Sequence, residues 1–142
     1  MKTILFSLFI CLATGLSAQE TVNITLEISS IKSAGVGTIQ FMLFDSGKGF
    51  PKNPEEAKFI GKVDNFQSSA RYTFKNIPKG TYAIAAFQDQ NKNGKIDSNM
   101  IGMPKEPVAA SNQTKMAKPT FNRSAIDFQE DQTIQLQFIN DK

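Results

Sequence analysis

Polar and apolar residues alternate along most of this chain, and the alternation changes character at 81–88. Within 19–30, Val22, Ile24, Leu26 and Ile28 fall on one face and Asn23, Thr25, Glu27 and Ser29 on the other. A period of two predicts a half-buried first strand. After a glycine-punctuated turn at 32–37 the alternation resumes over 38–44, with Ile39, Phe41 and Leu43 inward, and a hairpin between these two strands is the natural reading. Residues 59–66 read either as a short strand or as an irregular crossing. Residues 70–74 are a clearer strand, with Ala70, Tyr72 and Phe74 opposed to Arg71 and Thr73. The chain closes with strands at 125–128 and 133–139, the second placing Ile134, Leu136 and Phe138 inward and Gln135 and Gln137 outward.

The stretch 81–88 is apolar on both faces. Tyr82, Ile84 and Ala86 point one way and Ala83, Ala85 and Phe87 the other, so this strand is expected to be central and covered on both sides. Pro78 and Gly80 supply a tight turn leading into it, one by its preset φ and the other by its permissive backbone. A single helical turn is expected at 53–56, where Asn53 can cap, Pro54 suits the first helical position, and Glu55 and Glu56 complement the positive end. Periodicity disappears over 98–123, where Pro104, Pro107 and Pro119 stand among Ser, Asn, Gln and Lys. A connection of that length tends to be functional, or ordered by something bound. The pattern as a whole predicts an all-β protein, a single antiparallel β-sandwich of about seven strands with one short helical turn.

The amino terminus changes what is counted. Met1 and Lys2 form a basic start, 4–12 an apolar run and 15–18 a small-residue exit, the organisation of a secretory signal peptide spanning 1–18. The run is too short to span a bilayer, and Leu8, Phe9 and Ile10 before Cys11 do not make a lipid-attachment signal. The expected mature chain is therefore one exported domain, 19–142, periplasmic or secreted, with no transmembrane segment. Removing Lys2 leaves 15 basic against 13 acidic side chains, scattered through loops, which does not suggest a nucleic-acid partner. The chain has no histidine, no tryptophan and, beyond Cys11, no cysteine. Histidine-based triads, cysteine nucleophiles and ordinary zinc, copper or haem sites are thereby excluded, and oxygen chemistry remains.

That chemistry concentrates just after the central strand. Asp89, Asn91, Asn93, the carbonyl of Lys95 and Asp97 occupy positions one, three, five, seven and nine of an EF-hand-type loop, with Gly94 at six. Met100 stands where the bidentate glutamate belongs, and Glu106 is a candidate replacement from the following loop. Two aspartates balance one divalent charge, as in a weak extracellular calcium site of about 0.1 to 1 mM. An ordinary polar turn is the alternative, because Asn93-Gly94 is by itself a strong turn signal.

At 74–82, with Pro78-Lys79-Gly80-Thr81-Tyr82, at the Asp/Asn loop 89–97, and at Gly102-Met103-Pro104-Lys105-Glu106, the chain resembles the domain of unknown function 2141 family, small exported bacterial proteins. The Pro-x-Gly-x-Tyr motif is also similar to that of transthyretin-like and carboxypeptidase-regulatory-like sandwiches, so the resemblance implies an immunoglobulin- or transthyretin-like sandwich. It implies no activity. Such families often carry histidine before the first aspartate of the loop, where this chain has Gln88. The expected role is thus a non-enzymatic binding or structural module of the exported space, with a calcium-stabilised loop and an envelope or extracellular partner. Two alternatives stay open: a hydrolase using Asp89, Asp97 and Glu106, and a small-ligand carrier using the sandwich interior.

Overall fold

Residues 17–140 are described by the computed structural model, so the expected leader lies almost wholly outside them. The strands are β1 (Thr21–Ser29), β2 (Thr38–Phe44), β3 (Phe59–Val63), β4 (Ser69–Pro78), β5 (Gly80–Asp89), β6 (Val108–Ala110), β7 (Ala125–Phe128) and β8 (Gln132–Leu136). In a three-stranded sheet β1 lies between β4 and β8. In the larger sheet β2 and β5 are neighbours, β3 lies outside β2, and β6 and β7 pair with successive halves of β5. The sheets pack together around Ile24, Leu26, Phe41, Leu43, Ile84 and Phe128, all completely buried. The protein is an all-β sandwich.

Burial follows the sequence pattern where it is simple. In β1 the apolar residues Val22, Ile24, Leu26 and Ile28 are buried and every residue between them is at least partly exposed. All of β5 from Tyr82 to Asp89 is buried, as its two apolar faces require. One face joins the main core. The other, with Met42, Phe44, Ala85 and Phe87, forms a second cluster covered by Phe50, Ala57, Ile96, Val108 and Phe121. Residues 59–63 are a strand, resolving the ambiguity of that stretch. Pro54–Glu56 is a 3₁₀ turn capped by Asn53, whose Oδ1 accepts the Glu55 N–H at 3.2 Å.

Two expectations are corrected. The first two strands are not a hairpin: β1 and β2 belong to different sheets. All seven residues of β2 are buried, because loops cover the outer face of its sheet. A hairpin would have placed Asn23, Thr25 and Glu27 beneath that cover, whereas β1 in the three-stranded sheet leaves them at the surface. Nor is the sandwich wholly antiparallel, because β1 and β8 pair in parallel, from Ile24 opposite Gln132 to Ile28 opposite Leu136. Parallel neighbours need a long crossover between them, and nearly the whole domain supplies it. Asp131 fastens this edge, its carboxylate accepting the Asn23 N–H at 2.7 Å and the Asn23 side-chain amide at 3.0 Å. Those bonds hold Asp131 below the usual carboxylate range.

Residues 98–123 contain more order than the pattern suggested, including β6 and a one-turn helix, α1 (Phe121–Ser124). Lys79 alone links β4 to β5 across the sheets, its N–H donating to the Glu20 carbonyl at 3.0 Å. No helix among the described residues is long and apolar enough to cross a membrane.

Candidate functional site

Asp89 ends β5 opposite Thr38 of β2 and is only 4% exposed. From that anchored position its carboxylate organises the loop after it. Oδ1 accepts the Asn93 N–H at 3.1 Å and Oδ2 the Gly94 N–H at 2.7 Å, tying the first loop residue to the fifth and sixth. Asn91 and Asn93 form Asx turns, accepting the N–H groups of Asn93 and Lys95 respectively. Their side-chain amides both meet Asp97, Asn91 Nδ2 at 2.6 Å from Oδ2 and Asn93 Nδ2 at 3.1 Å from each carboxylate oxygen. The loop therefore brings Asn91, Asn93 and Asp97 side chains together beside Asp89. Lys95 is exposed. Met100, at the twelfth position, stands fully in solvent.

Glu106 is buried and aimed at the loop's main chain. Oε1 accepts the Gln90 N–H at 2.9 Å and Oε2 the Asp97 N–H at 3.1 Å, so one carboxylate clasps the first and last turns of the loop. Burial raises its pKa above the ordinary carboxylate value; the two N–H donors pull it down, and the charges of Asp89 and Asp97 push it up. Among the described residues no three Asp, Glu, Cys or His side chains form a group suited to a metal ion, so any ion here would depend on amide and main-chain oxygens as well as carboxylates.

Gln88 has its own explanation. It is completely buried, and Nε2 donates to the Ser33 carbonyl at 2.7 Å and the Val36 carbonyl at 2.8 Å, binding the crossing between the sheets to β5. Among the described residues its Oε1 is buried without a hydrogen-bond partner, as is Gln113 Oε1.

Beyond the loop, the pattern-free segment folds back on itself around Asn99. Asn99 Oδ1 accepts the N–H groups of Ile101 and Met103, and its own N–H donates to the Met103 carbonyl at 2.8 Å. The tip of this turn exposes Met100 and Ile101, and Lys52 Nζ reaches across to the Gly102 carbonyl at 2.9 Å. Under the tip lies an apolar cleft of about 730 Å³ on the outer face of the five-stranded sheet, floored by Ala85 and Ala110 and walled by Phe50, Ile96, Ile101 and Met116. Ala85 and Ala110 stand opposite one another in the β5–β6 pairing, and two small residues side by side leave the hollow. The sequence signal for it is the run of alanines in β5, whose small side chains leave space that an apolar pattern alone does not reveal. A second, more polar hollow of about 510 Å³ is lined by Gln90, Asn99, Lys105 and Asn140. None of Asp89, Asp97 and Glu106 lines either hollow.

Neither a curated protein nor a solved structure matches the chain. A family model does: with residues 26–135 matched, the chain belongs to DUF2141, the family described as uncharacterized protein conserved in bacteria.

Proposed function

We propose that this protein is a non-catalytic binding module of the exported space whose Asp/Asn loop is ordered by calcium. The carrying observation is the convergence of Asn91 and Asn93 on the Asp97 carboxylate while Asp89 fastens loop positions five and six. An asparagine amide oxygen has two lone pairs, so Oδ1 of Asn91 and of Asn93 can each keep its Asx-turn N–H and still offer a lone pair to a cation that draws the Asp97 carboxylate away from their NH₂ groups. Asp89 and Asp97 supply two negative charges and the Lys95 carbonyl a neutral donor. Glu106 braces the loop from beneath. A set with two carboxylates and neutral oxygens suits calcium at about 0.1 to 1 mM. Calcium there would stiffen the segment that carries Met100, Ile101 and the cleft wall, the surface offered to a partner.

The hydrolase alternative loses ground because its three carboxylates line neither hollow and the buried one holds two main-chain N–H groups. The carrier alternative, as a use of the sandwich interior, also loses ground, since that interior is filled by fully buried side chains.

Thermal melts in chelator, calcium and magnesium test the reading. At ten times Kd a ligand selective for the folded state adds about 1.4 kcal/mol, so calcium should raise Tm by several degrees and magnesium by much less. Asp97→Asn, which keeps size and removes one charge, should lose the calcium increment. Asp127→Ala should keep it. Asp64 would not serve as such a control, because its Oδ1 accepts the Thr38 hydroxyl at 2.6 Å next to the Asp89 pairing. Identical melts of wild type in chelator and calcium would reduce the loop to a polar turn.

A further inference from the structure

The cleft beneath the Met100–Ile101 tip has a charge asymmetry that no part of the calcium reading uses. Most of its walls are Met, Ile, Phe, Pro, Val and Ala side chains, with Asn53 and Gln113 the neutral polar ones. Among the described residues the charged ones lining it are both cations, Lys52 and Lys118, with no Asp or Glu. Lys52 spans the rim with, among the described residues, only a neutral carbonyl as its acceptor, that of Gly102. Lys118 is exposed and makes no ion pair or hydrogen bond among the described residues. Met103 and Met116 are 43% and 50% exposed, and Ile101 79%, leaving apolar surface on an exported domain unburied by its own fold. Methionines adapt their shape to irregular apolar partners. A volume of about 730 Å³ lies within the range of sites for small ligands.

We infer that this cleft binds a single-chain anionic amphiphile, a free fatty acid. The acyl chain lies over the Ala85–Ala110 floor against Phe50, Ile96 and Met116, and the carboxylate meets Lys118 and Lys52 at the rim. Binding exchanges a neutral acceptor of Lys52 for a charged one and gives Lys118 a partner, and charge-assisted hydrogen bonds are the stronger kind. The amide of Gln113 in the wall favours a rival. Gln113 Oε1 is buried and unpartnered, its Nε2 donating to the Lys115 and Ala117 carbonyls, so a long-chain alcohol could donate to it without needing the lysines.

The test is a fluorescence titration of the full exported chain with cis-parinaric acid, run in chelator and again in calcium so that it stands apart from the ion. Saturable emission enhancement is expected in both, displaced by palmitate and left in place by equal concentrations of methyl palmitate, hexadecanol and hexadecylamine. Exposed charge pairs contribute modestly, so Lys52→Gln with Lys118→Gln should weaken binding by about three- to tenfold. Met116 lies at the surface, where substitution spares the core; Met116→Glu should weaken binding by on the order of tenfold and Met116→Lys should not. Absence of saturable enhancement would overturn the inference. Displacement by hexadecanol as effective as by palmitate would assign the site to Gln113 and a neutral ligand, and equal affinity of the double lysine variant would remove the charge argument. Cosedimentation with phosphatidylglycerol vesicles without uptake of parinaric acid would make the face a membrane contact and also overturn it.

Discussion

The main-chain oxygen of Asp89 occupies the space a side chain on Gly37 would need: a Cβ there would stand 2.0 Å from that oxygen. Gly37 also has φ of +73°. The chain leaving the three-stranded sheet thus passes directly over the residue that begins the loop, and only glycine permits the approach. Gly37→Ala combines a left-handed backbone with a clash against main chain and should cost about 3 kcal/mol or more. Gly94→Ala is the matched comparison, with φ of +75° and nothing within 4 Å of the added carbon, and should cost about 1 to 2 kcal/mol. Urea melts of the two variants check the difference; equal losses would mean the contact with Asp89 carries no weight.

Glu106 gives the fold a pH signature. Burial raises its pKa in the folded protein, so the folded state binds this proton more readily than the unfolded chain. Its contribution to stability is then fully present below the unfolded carboxylate value and is lost as pH rises through the raised folded value. Glu106→Gln should abolish that fall, leaving the other carboxylates to set the slope. Near neutral pH two effects oppose each other in the variant: the buried charge is removed, which stabilises, and the carboxamide has one oxygen for two N–H groups, which costs about 1 to 3 kcal/mol, so its stability there should stay close to that of wild type. Denaturant melts of both proteins from mildly acid to neutral pH measure this, and parallel curves would contradict the assignment.

Phe87 is completely buried on the outer face of β5, opposite Val108, while Gln135 is exposed in β8. Phe87→Ala should cost about 3 to 5 kcal/mol. Gln135→Ala should stay within about 0.5 kcal/mol of wild type. A Phe87→Ala loss as small as that expected of Gln135→Ala would show that the second apolar cluster does not stabilise the sandwich.

The exported form should begin at Gln19. Mass spectrometry of protein recovered from the periplasm or medium reads this directly, and material retaining 1–18 would refute it. Asn23 pairs with Asp131 only a few residues later, so removal of the leader should not alter the melting temperature of the domain.

What the sequence alone determined was what depends on short range. The alternation of Val22, Ile24, Leu26 and Ile28 became the buried face of β1, the two apolar faces of β5 became a strand covered on both sides, and Asn53-Pro54 became a capped 3₁₀ turn. Each follows from residue spacing or local backbone preference, which act within a few positions. Tertiary structure decided which strands met. Alternation is equally satisfied by any neighbour with an apolar face, so the hairpin expected between β1 and β2 gave way to pairing with β4 and, in parallel, with β8, which keeps the polar face of β1 in water. The same holds at the candidate site. The spacing of Asp89, Asn91, Asn93 and Asp97 marked the loop, but the role of Glu106 depended on its reaching Gln90 and Asp97 at once, and the cleft depended on Ala85 and Ala110 standing side by side from segments 25 positions apart. Such juxtapositions follow from how the sheets close, a long-range property that no local run of residues encodes.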